Sequence, residues 1–185
     1  MSDNLDYEIN KELGECYLFM GEIDKAEDYY TKAAANNGHH AEPYLGLAAI
    51  AVQRGQLDTA LGLYQQAVYV EPNDKALAGL AMLEMENGKH AQAYDHYIQA
   101  LLSNPENEVA LFGLVQTGHI LERVEEILPH LYNYLEIDPQ KNQIRYSLAG
   151  CLSILSRQEE AKEQLEYILD LEPDNAEALE LYGMV

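Results

Sequence analysis

Four of the six prolines fall on one beat. Pro72, Pro105, Pro139 and Pro173 close the segments VEPND, SNPEN, IDPQK and LEPDN, and successive members stand 33, 34 and 34 residues apart. A fixed period of this size points to stacked supersecondary units, each burying its apolar face on the next, rather than to one closed globule. Other positions keep the same beat. Ala26, Ala60, Ala93 and Ala161 recur with Ile127 in the fourth place, and Gly21, Gly55 and Gly88 are followed by Glu122 and Ser156.

Inside each unit an apolar 3.6-residue period runs for about fourteen residues, breaks at a turn that often holds Gly, resumes, and ends near a proline. That is two antiparallel helices per unit. The pattern predicts helices over 6–20 and 23–36, 41–54 and 57–70, 74–87 and 90–103, 108–121 and 124–137, 142–155 and 158–171, then a short one from 176. Ala26, Tyr30 and Ala33 show the i, i+4, i+7 stripe of a second helix, in which small Ala lets helices approach and Tyr fills the gap. Pro43 opens its helix, where a missing N–H costs nothing. One residue is lost between the second and third units, a change a loop absorbs.

The pattern resembles the tetratricopeptide repeat (TPR) family, whose unit carries an early aromatic or Leu, Leu-Gly, an aromatic, Gly, Ala, an aromatic, Ala and a late Pro. The second unit shows Tyr44, Leu47, Gly55, Ala60, Tyr64, Ala67 and Pro72, and the third Leu80, Gly88, Ala93, Tyr97, Ala100 and Pro105. The fifth is looser, with Leu148, Ala149, Ala161, Leu165 and Pro173, and the first has Gly38 in place of the proline, as a helix C-cap. The resemblance implies an all-α, right-handed α-solenoid forming a single array over 1–185. Its five units cover 7–40, 41–73, 74–107, 108–141 and 142–175, with 176–185 as a partial capping helix. The fourth unit departs from the pattern: Ile127, Leu131 and Tyr134 stand where the others carry mostly Ala, Tyr and Ala, and Pro129 should make its second helix kink or begin late. Drift in a tolerant repeat and a reshaped pocket or hinge are both open readings.

Charge narrows the partner class. With 11 Lys+Arg against 32 Asp+Glu the chain carries −21, which repels the phosphate backbone and anionic lipid surfaces. No nucleic acid and no membrane insertion are expected, since no stretch approaches about 18 uninterrupted apolar residues. The start MSDNLDYEINKELGE has no basic region and no apolar run, so a cytoplasmic location is expected.

Catalysis is not expected either. HExxH, GxSxG, a phosphate loop and GxGxxG are all missing. His39 and His40 lie in the first inter-unit loop, and His90, His96, His119 and His130 are scattered over several helices. None has an adjacent Cys or a tight ligand spacing, so neither a metal nor a cofactor is expected. Glu125 with Glu126 and Glu159 with Glu160 fall at predicted helix starts, where negative charge suits the helix dipole. Cys16 and Cys151 read as reduced, buried thiols, four units apart and too distant for a bridge.

What remains is the inner groove. In TPR proteins the first helix of each unit lines a concave surface, and the matching places here include Leu18 and Phe19, then Leu45, Ala49 and Val52, then Ala78, Met82 and Met85. The fourth and fifth units add Phe112, Gln116 and His119, then Tyr146 and Ile154. Contiguous apolar area of this kind marks a binding surface, unless curvature buries the side chains against the next helix. The resemblance implies a protein-interaction module or adaptor. Its partner would be a peptide or amphipathic helix with apolar anchors and basic flanks. A chaperone-like holder of apolar client segments, and a regulatory or targeting region of a larger enzyme, remain alternatives. The carboxylate clamp of some co-chaperone TPR domains is incomplete: Lys11 and Lys75 match it, but Glu15, Gly46 and Gly79 do not. At the end, AEALELYGMV is apolar nearly all round, with Leu179 on one side and Leu181 on the other, so the chain is expected either to continue or to pair with a second copy.

Overall fold

A computed structural model describes residues 2–36 and 39–185; Gly38, expected as a C-cap, lies outside them. Among the described residues there are eleven helices and no strand. They pair in chain order: α1 (Ser2–Phe19) with α2 (Ile23–Asn36), α3 (Glu42–Gln53) with α4 (Leu57–Val70), and α5 (Asp74–Glu86) with α6 (His90–Ser103). Then follow α7 (Glu108–Ile120) with α8 (Val124–Ile137), α9 (Asn142–Ile154) with α10 (Gln158–Leu171), and the short α11 (Ala176–Tyr182). Each helix packs on its chain neighbours, and first helices also touch the next first helix, α1 on α3 and α5 on α7. The result is an α-solenoid. Among the described residues no helix is long and apolar enough to cross a membrane.

Local chemistry fixes the helix ends. Asn73, Asn107 and Asn175 cap α5, α7 and α11, each side chain accepting from the N–H three residues on at 2.9–3.0 Å. All five intra-hairpin turns repeat one reverse pattern, as in Glu22 N–H to Tyr17 O at 2.9 Å and Arg123 N–H to Gly118 O at 2.8 Å. It demands a left-handed residue. Gly21, Gly55 and Gly88 supply it at φ 71–76°, while Glu122 and Ser156 adopt it without glycine's freedom, at 57° and 59°.

The units are keyed together by rings set into glycines. A Cβ on Gly46 would lie 2.4 Å from the Tyr30 ring, one on Gly79 2.2 Å from Tyr64, and one on Gly113 2.1 Å from Tyr97. Each ring comes from a second helix and each glycine from the next unit's first helix. Bare backbone is what lets the ring enter.

In the fourth unit the bulky residues are accommodated locally. Ile127 is fully buried, and a Cβ on Gly118 would meet its Cδ1 at 2.5 Å, so the missing side chain on α7 is the space Ile127 fills. Leu131 replaces the ring, and by register Ser147 replaces the glycine it would have entered. Tyr134, where other units carry mostly Ala, is 5% exposed and donates its hydroxyl to Glu108 Oε1 at 2.8 Å. Helix α8 starts at its predicted residue despite Pro129, so a late start is not what the proline causes. Pro129 is exposed, on the side where water can satisfy the carbonyl that loses its donor.

Two side chains differ from expectation. Cys16 is exposed and only Cys151 is buried; both are free thiols. At the C-terminal end it is Leu181, with Tyr182 and Val185, that packs on Ala149, Leu165, Ile168 and Ala178, which leaves Leu179 at 50% and Met184 at 71% exposure.

Candidate functional site: the inner face and a cleft at its fourth turn

The first helices present the expected face, but at two depths. Phe19 (95% exposed), Ala49, Gln116, His119 and Ile154 (60%) stand out in solvent. Leu18, Leu45, Val52, Met82, Met85, Phe112 and Tyr146 are half-buried against the core. Ala78 is 2% exposed and belongs to the core itself, since the closely set α5 and α7 cover it. The groove therefore has an apolar floor that also helps hold the stack, with a few fully accessible side chains above it.

Two of the accessible residues, His119 at the end of α7 and Ile154 at the end of α9, meet across a cleft of about 560 Å³. Its walls are completed by Leu155, Val124 and the turn and first residues of α8, Glu122 to Glu126. The groove register implied by the family resemblance includes His119 and Ile154 but not the second-helix wall, because it assigns α8 to the outer layer and does not show how far its first turn reaches round. The one available signal was Glu122 in a glycine place, which puts a carboxylate at the rim.

The electrostatics of the cleft follow from who is paired. Arg123 lies over the Tyr94 ring at 4.1 Å and grips Glu126 with two hydrogen bonds of 2.8 and 2.6 Å. Those bonds hold the Glu126 carboxyl below its usual range. Among the described residues Glu122 and Glu125 have no Lys, Arg or His nitrogen within ion-pair distance, so the cleft is net negative. Beneath His119 the Cys151 sulfur lies 3.8 Å from Nε2, and burial pushes its thiol up to about 11, so it stays protonated and unreactive. An apolar pocket with a carboxylate rim takes an apolar or long cationic side chain. At the other end of the array Lys11 is held by Glu8 at 3.1 Å and Glu12 at 3.4 Å, which removes it from any carboxylate clamp.

A stack of helical hairpins with an accessible inner face defines a repeat solenoid of the protein-binding class. Residues 20–83 match the tetratricopeptide repeat family. With the hairpin period that runs through the array beside that match, the chain is a tetratricopeptide repeat protein. It is 34% identical over 109 residues to the bovine BBSome complex member BBS4, covering 58% of this chain and 21% of that one. It is 26% identical over 187 aligned positions to the human DnaJ homolog subfamily C member 7, covering 94% and 38%. The chain thus spans well under half of either relative. Among solved structures it resembles YrrB, a TPR protein with an unusual peptide-binding site, at TM-score 0.73, 19% identity and coverage of 92% and 89%. It also resembles MamA, at 0.71, 17%, 95% and 96%. These likenesses concern the fold.

Proposed function

We propose that the protein is a non-catalytic adaptor whose inner face holds a peptide or amphipathic helix with apolar anchors and basic flanks. The observation that carries this is the cleft where His119 and Ile154 from successive first helices meet an unpaired carboxylate rim. An apolar anchor fills it while Glu122 and Glu125 face a flanking Lys or Arg. The overall −21 draws such a ligand in and disfavours nucleic acid. A cytoplasmic location belongs to the same reading, with Cys16 and Cys151 kept reduced.

The test is capture of interacting peptides from a random library, followed by kinetics on the best binder. Ile154→Lys is expected to abolish binding with helicity and melting unchanged, because the side chain is 60% exposed. Met82 and Phe112 are poorer probes, since both pack on the core. The association rate should fall several-fold between low and physiological salt, and dissociation should change little. Binding that survives Ile154→Lys, or an association rate indifferent to salt, would remove this reading.

The C-terminal end supplies a second contact in the same scheme, a homodimer through the exposed Leu179 and Met184. Light scattering over a concentration series should show a dimer that Leu179→Glu converts to monomer. A monomer at every concentration would dismiss it.

A further inference from the structure

Unit ends in this protein share one construction: a carboxylate near the end or start of a helix is met by a cation or an amide from another helix end of the same unit. Asp74 receives Asn104 at 2.9 Å and Asn107 at 2.8 Å, and Glu172 receives Asn142 at 2.7 Å and Asn175 at 2.8 Å. Glu108 is held by Lys141 and Tyr134. Each negative charge has its donors.

The seam between the first and second hairpins is built differently. His40 in the α2–α3 connection, Glu42 opening α3 and Glu71 ending α4 bring one imidazole nitrogen and two carboxylate oxygens all within 4.8 Å of one another. His40 Nδ1 lies 3.8 Å from Glu71 Oε2. Among the described residues no Lys or Arg nitrogen comes within 4.0 Å of either carboxylate, so two negative charges face the His40 imidazole without a fixed cation beside them. No Lys stands here as Lys141 stands beside Glu108.

The parts around the cluster hold its donors in place. Glu71 Oε2 accepts the Ala41 N–H at 3.0 Å, which fixes that carboxylate beside the residue following His40. The Tyr7 ring, 2% exposed, lies 4.9 Å from the His40 ring, and its hydroxyl donates to Glu42 Oε2 at 3.4 Å. That hydrogen bond makes Tyr7 a donor that orients a ligand oxygen. His40 and Glu71 are far apart in the chain, and only the fold brings them together, which is why spacing gave no reason to expect a metal.

We propose that His40, Glu42 and Glu71 form a binding site for a divalent transition metal, which fastens the α2–α3 connection to the end of α4. One imidazole with two carboxylates is a donor set for zinc and its neighbours; the nitrogen ligand disfavours magnesium and calcium, and water completes the coordination. The ion neutralises the two carboxylates and ties the first hairpin to the second, next to the start of the inner groove.

The experiment uses the full chain, freed of metal with a chelator and titrated with zinc by calorimetry and with cobalt by visible absorption. The expected result is one equivalent of zinc bound at low micromolar affinity or tighter, a cobalt spectrum of low coordination number, and a melting point that rises with zinc. His40→Ala and Glu71→Gln should each weaken zinc at least tenfold and abolish the rise, with His90→Ala as the control that leaves both unchanged. Circular dichroism of each variant keeps a folding defect separate, and Glu42→Gln, at an exposed position, repeats the test with the least disturbance. Zinc bound equally by wild type and His40→Ala, or a melting point indifferent to zinc, overturns the site and shows a metal-free clasp.

Discussion

Replacing His96 by alanine is expected to lower the stability of the array by about 2–3 kcal/mol, a fall of roughly 4–12 °C in melting temperature for a chain of this size. Glu84 on α5 is 6% exposed, at a place where the neighbouring units put Ala51, Gly118 and Leu152. Its Oε2 lies 2.7 Å from His96 Nδ1 on α6, the contact that holds a carboxylate in an otherwise apolar hairpin. Removing the imidazole leaves that carboxylate buried and alone. A fully buried pair would cost about 3–5 kcal/mol to break, and the discount reflects the 26% exposure of the His96 side chain.

The same hairpin contact is made with other chemistry elsewhere: Tyr17 stacks on Tyr29 at 5.3 Å in the first unit, and Ala51 and Leu63 share one apolar cluster in the second. Copying the second unit into the third, as Glu84→Ala with His96→Leu, should therefore return stability to within about 1 kcal/mol of wild type or above it, because no charge is left buried. Urea denaturation of the two variants decides. If His96→Ala comes within about 0.5 kcal/mol of wild type, Glu84 is solvated and the pair holds nothing.

That contact shows where sequence reading stops. The 33- and 34-residue beat was enough to lay out ten helices and the turn glycines, because those depend on short-range periodicity and on backbone sterics that each unit repeats. The pairing of Glu84 with His96 was not read, since a Glu in a core place looks like one more surface charge in a chain with 32 acidic residues. In the groove, register carries no information on depth. Leu45 and Phe112 are half-buried against the core while Phe19 and Ile154 stand free. The α8 wall of the cleft and the meeting of His40 with Glu71 lie beyond any local pattern, because each joins residues that only the stacking brings together.

The keying of rings into glycines makes the remaining prediction, and the protein carries its own control. Gly113→Ser should destabilise by about 2–3 kcal/mol, because the new Cβ would stand 2.1 Å from the Tyr97 ring, and that ring is 1% exposed and has nowhere to turn. By register the fourth and fifth units already hold the alternative solution, Leu131 with Ser147 in place of Tyr97 with Gly113. In a Tyr97→Leu background the cost of Gly113→Ser should accordingly drop below about 1 kcal/mol, a coupling of some 1–2 kcal/mol in a double-mutant cycle. Gly150→Ala supplies the contrast. Nothing lies within 4 Å of the Cβ it would add, so only helix propensity acts and stability should rise by roughly 0.5–1 kcal/mol. Were Gly113→Ser equally costly with Tyr97 and with Leu at that place, the penalty would come from the backbone of α7. The ring would then not be what locks one unit to the next.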